Sequence, residues 1–406
     1  MLIGMAHPSF TTTGGAELLA ARHAEYLRSM GHEVRLVTMA LDPDRWPQLV
    51  RDVDVRIVGK RWTDSVRLPN DFPKHRRRAV RQAAELRGAQ VVLAENYPAN
   101  VVASEVAGAE RTVWYCNEPS RRLYARETFP TLAAQLDATP PGLDSALLAH
   151  ARRMFARHAT SLRPNCSPAS ERIVDAAAVA RLSCVIGDSA FAAELVRRVY
   201  GRTADAVVYP TIPLIDPPRR NAGMDSAGLR VLVHARLELL KNVETVLLGF
   251  AAFRDRHPGA HELHVVGRGP DAERLHEVVR ERGLREAVHF HGFLAQRSLE
   301  QLYARCDVMA LLPIDEPFGM VFPEAAQRGL LLIGPNHGGP LEILDGGQLG
   351  WAVDAFSSDP IADAFANAWR LPDVEVSRRR DRTSTACRDR YGPTATLPAL
   401  HALLAV

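Results

Sequence analysis

The sequence predicts an α/β chain built as two doubly wound parallel-sheet domains. Three observations lead there. At 406 residues the chain is long for one hydrophobic core, so two domains are the natural expectation. Short apolar runs alternate with amphipathic helical stretches along almost the whole length, the pattern of parallel strands joined by crossover helices. One segment, Tyr209–Ser226, breaks the alternation with four prolines, a basic pair and polar residues, and reads as an interdomain linker.

In the first half the expected strands are Leu2–Ala6, Val34–Met39, Val55–Val58, Val91–Ala94, Thr112–Cys116, Ser183–Ile186 and Ala206–Tyr209. Ala16–Met30 is the clearest helix between them, and it stops at Gly31, a residue suited to the left-handed backbone that closes a helix. A further helix is headed by Lys74-His75-Arg76-Arg77-Arg78. Its Val80, Ala83, Ala84 and Leu86 form a core-facing stripe, and the basic run reads as solvated helix surface.

After the linker the alternation restarts. Leu229–His234 is a strand, Val243–Arg256 a helix, and His261–Val266 a strand that ends in Gly267-Arg268-Gly269-Pro270. Asp271–Arg282 is helical, Val288–His291 a strand, and Ser298–Arg305 a helix with Ser298 and Gln301 at capping-box spacing. Val308–Leu312, Leu331–Gly334 and Trp351–Val353 complete the second sheet. The expected domains are residues 1–212 and 213–384, both Rossmann-like, with the tail from about 385 to 406 returning onto the first. Such domains would face each other across a cleft, with ligands at the carboxyl ends of the strands.

Composition excludes several classes. Hydrophobic content of 47% and charged content of 24% are those of an ordinary soluble protein. Cys116, Cys166, Cys184, Cys306 and Cys387 are scattered, with no CxxC, which argues for a reducing compartment and against a disulfide framework or structural zinc. The start MLIGMAHPSF reads as a buried strand and lacks a signal peptide's basic start and long apolar core. No apolar run reaches the roughly 20 residues of a membrane span, so a cytoplasmic location is expected. The net charge of +3 is too small for a nucleic-acid binder. It divides as +6 over residues 1–212 and −3 over the remainder. An acidic partner for the first half is one reading of that asymmetry, and a solvated Arg-rich surface is the plainer one.

The chemistry concentrates after the linker. Glu316 and Glu324 bracket the run EPFGMVFPE, eight positions apart. Pro, Phe and Gly between them disfavour one unbroken helix, so Glu316 is expected on a loop that turns into a helix carrying Glu324. Carboxylates bind sugar hydroxyls, and amides at a helix start attract phosphate. A site needing both is a nucleotide-sugar site. In HARLELLKNVETV, Arg236 and Lys241 stand at a strand end and a helix start, where both could reach one diphosphate and stabilise its developing charge. Either one could equally be a plain surface charge.

Two glycine turns accompany them. Gly14-Gly15-Ala16-Glu17 follows the first strand, where Gly15 allows close approach of backbone to a ligand and Glu17 could simply complement the helix dipole. His337-Gly338-Gly339-Pro340-Leu341-Glu342 opens a helix after the strand LLLIGP, a position that a tight strand-to-helix connection would also explain. The GxGP at Gly267–Pro270 lacks the third glycine of a dinucleotide fingerprint, so it lines a nucleotide pocket at most.

Together RLELLKN, VVGRGP, EPFGMVFPE and GGPLE, in this order and spacing, resemble the retaining glycosyltransferases of the two-Rossmann GT-B architecture, specifically glycosyltransferase family 4. SAFAAELVRRVYG followed by VVYP is similar to that family's entry into its linker. The resemblance implies a donor set. Glu316 would lie near the donor sugar hydroxyls, Glu324 would bind the ribose, and Arg236 and Lys241 would clamp the diphosphate. Phe318, Gly319, Met320 and Val321 would offer backbone amides, Gly15 would approach from the first domain, and Arg268 and Phe293 would line the nucleotide pocket. It also implies a nucleoside diphosphate sugar as co-substrate, with no other cofactor and no metal. In the front-face mechanism it implies, an oxygen of the leaving diphosphate takes the acceptor proton.

One departure stands out. In WYCNEPSRRLY, Asn117 occupies a position where relatives commonly carry histidine. Asn117 cannot titrate, so Glu118 or His7 is the alternative source of a titratable group. Acceptor contacts are expected from Asn117, Glu118, Arg121 and His7, within the loops Pro8–Gly15, Glu95–Asn100 and Asn117–Pro141. Trp114, Tyr97, Arg122 and Tyr124 accompany them. The partners expected are a nucleotide-sugar donor and a small-molecule or natural-product acceptor, without nucleic acid and with membrane association as the lesser alternative, in a monomer or homodimer. The alternatives are a nucleotide-sugar epimerase or phosphorylase, a cell-envelope glycolipid glycosyltransferase, or a sugar-nucleotide binder without turnover.

Overall fold

A computed structural model of the chain describes residues 1–59, 72–140, 145–159, 168–215 and 228–405. Most of the expected linker, residues 216–226, lies outside the described residues, as do Pro141 and the side chains of Lys74, His75 and Arg77. The chain forms two compact units. Unit 1 comprises Met1–Thr128, Arg153–Thr211 and Pro393–Val406; unit 2 comprises Phe129–Arg152 and Ile212–Gly392. The stretch 129–152, early in sequence, therefore packs in unit 2, and the tail joins unit 1 only from Pro393 onward.

The first part of the chain runs β1 (Leu2–Ala6), α1 (Gly15–Ser29), β2 (Glu33–Thr38), α2 (Pro47–Asp52), β3 (Asp54–Ile57), α3 (Phe72–Glu85), β4 (Val91–Glu95), α4 (Ala99–Ser104) and β5 (Arg111–Cys116). It continues with α5 (Ala125–Thr128), α6 (Pro130–Ala138), α7 (Ala146–Ala159), α8 (Pro168–Arg181), β6 (Cys184–Gly187), α9 (Ala190–Tyr200) and β7 (Ala206–Val207). The seven strands form one sheet in the order β3-β2-β1-β4-β5-β6-β7, with every pairing parallel. Side chains alternate across it, as strand geometry requires. Ile3, Met5, Val91, Leu93, Val113 and Tyr115 enter one core with α1 and the tail residues Leu400 and Leu404. Ala6, Val92, Ala94, Trp114 and Cys116 enter the other, under Ala79, Ala83 and Leu86 of and after α3, whereas Val80 and Ala84, expected in that stripe, are exposed. Both faces are apolar because helices cover both, which is why the strands read as near-continuous hydrophobic runs.

Unit 2 repeats the plan. It contains β8 (Arg230–His234), α10 (Val243–Arg256), β9 (Glu262–Val266), α11 (Ala272–Glu281), β10 (Val288–Gly292), α12 (Gln296–Arg305) and β11 (Val308–Ala310). Next come α13 (Val321–Gln327), β12 (Leu331–Pro335), α14 (Gly338–Ile343), β13 (Trp351–Val353), α15 (Ser358–Trp369) and α16 (Asp373–Tyr391), with α17 (Pro393–Leu404) returning to unit 1. Six strands form the order β10-β9-β8-β11-β12-β13, again all parallel. The strand order reverses between β8 and β11. The segments leaving those two strands therefore diverge to opposite sides, and a crevice opens at their carboxyl ends.

One expected start signal is not used. Ser298 and Gln301 do not form a capping box, because α12 begins two residues earlier with Ala295 as its extended N-cap and no side-chain cap bond. Ser298 thus falls inside the first turn. Among the described residues no helix is long and apolar enough to cross a membrane.

Candidate active site

Beyond β8 the chain passes through Leu239–Lys241, one turn of 3-10 helix closed by Asn242 in the left-handed region (φ 53, ψ 41). Asn242 is buried and tied at both ends. Its amide donates to the Ala355 carbonyl (2.7 Å), and its oxygen accepts from the Thr245 hydroxyl (2.9 Å). Lys241 therefore leaves a fixed backbone.

The segment after β11 is fastened to the same turn, since Ile314 N–H donates to the Leu240 carbonyl at 2.9 Å. Two residues on, Glu316 Oε2 accepts from Lys241 Nζ at 2.7 Å, with both side chains partly buried. Between them Asp315 is fully buried with φ 48, a backbone that L-residues other than Asn and Asp rarely adopt. Its carboxylate accepts the backbone N–H groups of Thr131 (3.2 Å) and Leu132 (3.0 Å), in the first turn of α6. Holding such a backbone costs about 1–3 kcal/mol, and capping an otherwise uncapped helix start offsets it.

EPFGMVFPE is a loop that turns into a helix. Gly319 takes φ 92, Met320 is the N-cap residue, and Glu324 sits partly buried on α13. Phe318 is buried with its ring edge-on to Tyr391 at 5.2 Å. The HGGP turn packs directly on this loop, where Gly339 N–H donates to the Glu316 carbonyl at 2.8 Å. A Cβ on Gly339 would lie 1.9 Å from the Pro317 carbonyl oxygen, so only glycine fits.

The two expected cations contact different carboxylates of the chain. Arg236 is 72% exposed and its Nε contacts Glu238 at 3.1 Å. The GRGP glycines serve backbone packing: a Cβ on Gly269 would meet the Leu237 carbonyl oxygen at 2.1 Å. Leu237 N–H donates to the Arg268 carbonyl (3.0 Å), and its own carbonyl accepts from Asp271 N–H (3.0 Å). Arg268 is exposed and its Nε lies 3.5 Å from where a Gly292 Cβ would stand, next to the 75%-exposed Phe293.

A buried polar cluster behind Glu324 escapes sequence reading. Arg328 donates to the Glu324 carbonyl (2.8 Å) and through Nε and Nη2 to Glu300 (2.8 and 2.6 Å). Its guanidinium lies 4.6 Å over the Tyr303 ring, whose hydroxyl meets His234 Nδ1 at 2.9 Å. Burial, and then the Arg328 charge, pull the His234 pKa down to about 4. An Arg at a helix end and a Tyr inside a helix carry no local signal for this role.

Unit 1 holds the other expected residues. α1 starts at Gly15 with Gly14 as an extended N-cap, and Glu17 accepts the Thr12 hydroxyl at 2.7 Å. Asn117 and Glu118 follow β5, and Glu118 pairs with Arg121 Nε at 2.5 Å. His7 is buried beside Asn96 (3.3 Å), and burial lowers its pKa. Near it a fully buried pair, His23 Nδ1 and Glu95 Oε1 at 3.0 Å, stands at the end of β4, and sequence reading left it unremarked. Among the described residues no cluster of three or more His, Cys, Asp or Glu could hold a metal ion.

Residues 219–387 match the family model "Glycosyl transferases group 1". The chain is 31% identical over 195 residues to the D-inositol 3-phosphate glycosyltransferase of Corynebacterium jeikeium, covering 46% of this chain and 45% of that one. It is 34% identical over 143 residues to a Mycobacterium tuberculosis GDP-mannose-dependent phosphatidylinositol monomannoside mannosyltransferase, covering 34% and 37%. The aligned stretches thus span less than half the length of these curated relatives. Among solved structures, Anabaena HepE in complex with UDP and glucose superposes with a TM-score of 0.71 at 18% identity, covering 100% of this chain and 99% of that one. Sucrose-phosphate synthase from Thermosynechococcus elongatus gives 0.73 at 16%, covering 99% and 98%. Residues 219–387 thus match the glycosyl transferases group 1 model, and the chain as a whole has the two-domain GT-B fold.

Proposed function

We propose that the chain is a retaining glycosyltransferase that moves a sugar from a nucleoside diphosphate donor to a hydroxyl of a small-molecule acceptor. The observation that carries this is the Lys241–Glu316 pair at 2.7 Å, held at the carboxyl ends of β8 and β11 by the Ile314–Leu240 and Gly339–Glu316 backbone bonds. Lys241 supplies a positioned cation for a diphosphate, and Glu316 both orients it and offers a carboxylate to sugar hydroxyls. Glu324 on α13 is the ribose ligand, Arg236 is an exposed second cation, and Arg268 with Phe293 borders the base.

Front-face retention asks the protein for position and charge rather than for a strong base. An oxygen of the departing diphosphate accepts the acceptor's proton as the glycosidic bond forms on the same face. Asn117, Glu118 and Arg121, on the segment after β5, contact the acceptor in this reading, and His7, buried beside Asn96, is left out of it. In this reading Lys241 supplies the positive charge at the diphosphate. HepE in complex with UDP and glucose and the GDP-mannose-dependent relative suggest UDP-glucose and GDP-mannose as first donors.

The test is turnover with each donor against a panel of polyol, sugar and cyclitol acceptors, with the product's anomeric configuration read by NMR. Glu316→Ala and Lys241→Ala should each lose most of the rate, and wild-type-like turnover in both would end the assignment. An inverted product would reject retention alone.

A further inference from the structure

We infer that Arg328 is a positioning residue for nucleotide binding: Glu300 and Tyr303 of α12 hold Arg328, and Arg328 holds the short helix that presents Glu324. The inference rests on the proposed reading of Glu324 as the ribose ligand.

α13 has seven residues, too few to fix its own orientation. The last four carbonyls of a helix have no partner within it. In α13 the backbone beyond the helix serves two of them: Arg328 N–H and Leu330 N–H go to Ala325, and Gly329 N–H goes to Ala326. The Glu324 carbonyl receives the Arg328 side chain, Nη1 to O at 2.8 Å. The helix end is thus capped by a guanidinium at the residue whose carboxylate is proposed to face the ribose.

The guanidinium is itself immobile. Arg328 is 6% exposed, its Nε and Nη2 grip Glu300 as a fork, and its face rests on Tyr303. Such bidentate pairs fix direction as well as distance, and a lysine reproduces neither the fork nor the stacking. Tyr303 is anchored in turn through its hydroxyl to His234, two residues before Arg236. The electrostatics agree. Burial acts to lower the Arg328 pKa, but Glu300 first and Glu324 among the rest raise it overall. Tyr303 is raised by burial and then by Glu324. The Glu324 carboxylate therefore lies within the field of both.

Glu300 is the group that aims Arg328. It is 36% exposed while Arg328 is buried, so removing its charge also leaves a buried guanidinium short of a partner, and the double-variant cycle, not stability alone, isolates its aiming of Arg328. The experiment is calorimetric titration of the full chain with UDP, GDP and ADP, using wild type, Glu324→Gln, Glu300→Gln, Arg328→Lys and the two double variants with Glu324→Gln. Arg328→Lys should weaken the tightest nucleotide by about tenfold, or about 1.4 kcal/mol. Glu300→Gln should weaken it by a smaller factor, measured at a temperature where its thermal transition shows the protein fully folded. Both effects should vanish when Glu324 is already Gln, because a residue acting through another adds nothing once that other is gone. Additive losses, or unchanged affinity in both single variants, would overturn the inference while leaving nucleotide binding intact. Failure of wild type to bind any of the three would overturn the functional reading and this inference with it. Should Arg328→Lys fail to fold, the Glu300→Gln cycle decides alone.

Discussion

Gly339→Ala should damage unit 2 severely, because the new methyl has only backbone to push against. The added Cβ would stand 1.9 Å from the Pro317 carbonyl oxygen, 2.5 Å from Phe318 Cα and 2.6 Å from the Pro317 carbonyl carbon. Unstrained carbon contacts lie near 3.5–4.0 Å, so the HGGP turn and the EPFG loop must part by roughly 1–1.5 Å. All three obstacles are backbone, and no side-chain rotation relieves them. Separation also breaks the 2.8 Å bond from Gly339 N–H to the Glu316 carbonyl. Overpacking costs about 1–3 kcal/mol, and a buried carbonyl left unmade about 1–3 more, giving a total of about 2–6 kcal/mol. Gly346→Ala is the internal control. Its φ of 64 penalises alanine, but nothing lies within 4 Å of the new Cβ, so only the conformational cost of about 1–2 kcal/mol applies. Urea unfolding gives both values, and nucleotide titration reports whether the Glu316 loop has moved. A Gly339→Ala protein as stable as wild type, or one no worse than Gly346→Ala, would refute the claim that the two motifs are in backbone contact.

Lys241→Ala should lower kcat by about 100- to 1000-fold, the usual effect of removing one charge-stabilising donor, and Lys241→Arg should recover part of it; equal rates in all three would clear Lys241 of any role. Asp315→Asn keeps a residue that tolerates φ 48 but offers one acceptor oxygen where the carboxylate serves two amides. It should therefore cost about 1 kcal/mol through lost capping of α6, read as a lower urea midpoint with an unchanged slope. His234 is held at about 4 when folded and returns to 6.5 when unfolded. The unfolded chain thus binds more protons between those values, and this contribution to stability is lost as pH falls from 6.5 towards 4. His234→Asn should shrink the stability difference between pH 7 and pH 4.5, and an unchanged difference would show that His234 does not titrate in this way.

What was legible in the sequence follows from how each feature is encoded. Strands such as Val231-Leu232-Val233, all fully buried, announce themselves because helices cover both faces of the sheet. Helix α10 was readable to the residue for a related reason, its 3.6-residue apolar period running from Val243 to Arg256. The capping box at Ser298 failed because spacing alone cannot say where the preceding loop hands over to the helix, and here it does so at Ala295. Asp315 capping α6 was out of reach, since its partners stand 183 and 184 residues away. Arg328 was hidden differently: a basic residue at a helix end has an adequate local explanation in the helix dipole, so nothing prompts a search for Glu300 and Tyr303.

The glycines make the sharpest case. GRGP and HGGP both signal that backbone must come close to something, and a ligand is the natural first reading of that signal. In this chain the something is another strand end: Leu237 for Gly269, Pro317 for Gly339. The two contacts have one consequence. The segment after β8 is locked to the one after β9, and the segment after β11 to the one after β12, so four strand ends behave as a single rigid rim. Lys241 and Glu316 stand on that rim, joined through Ile314 and Leu240. A preorganised rim is what charge stabilisation without a base demands, because donors already in place need no reorganisation when charge develops. In the proposed reaction the part of these close-packing glycines is to fix the backbone from which Lys241 and Glu316 project.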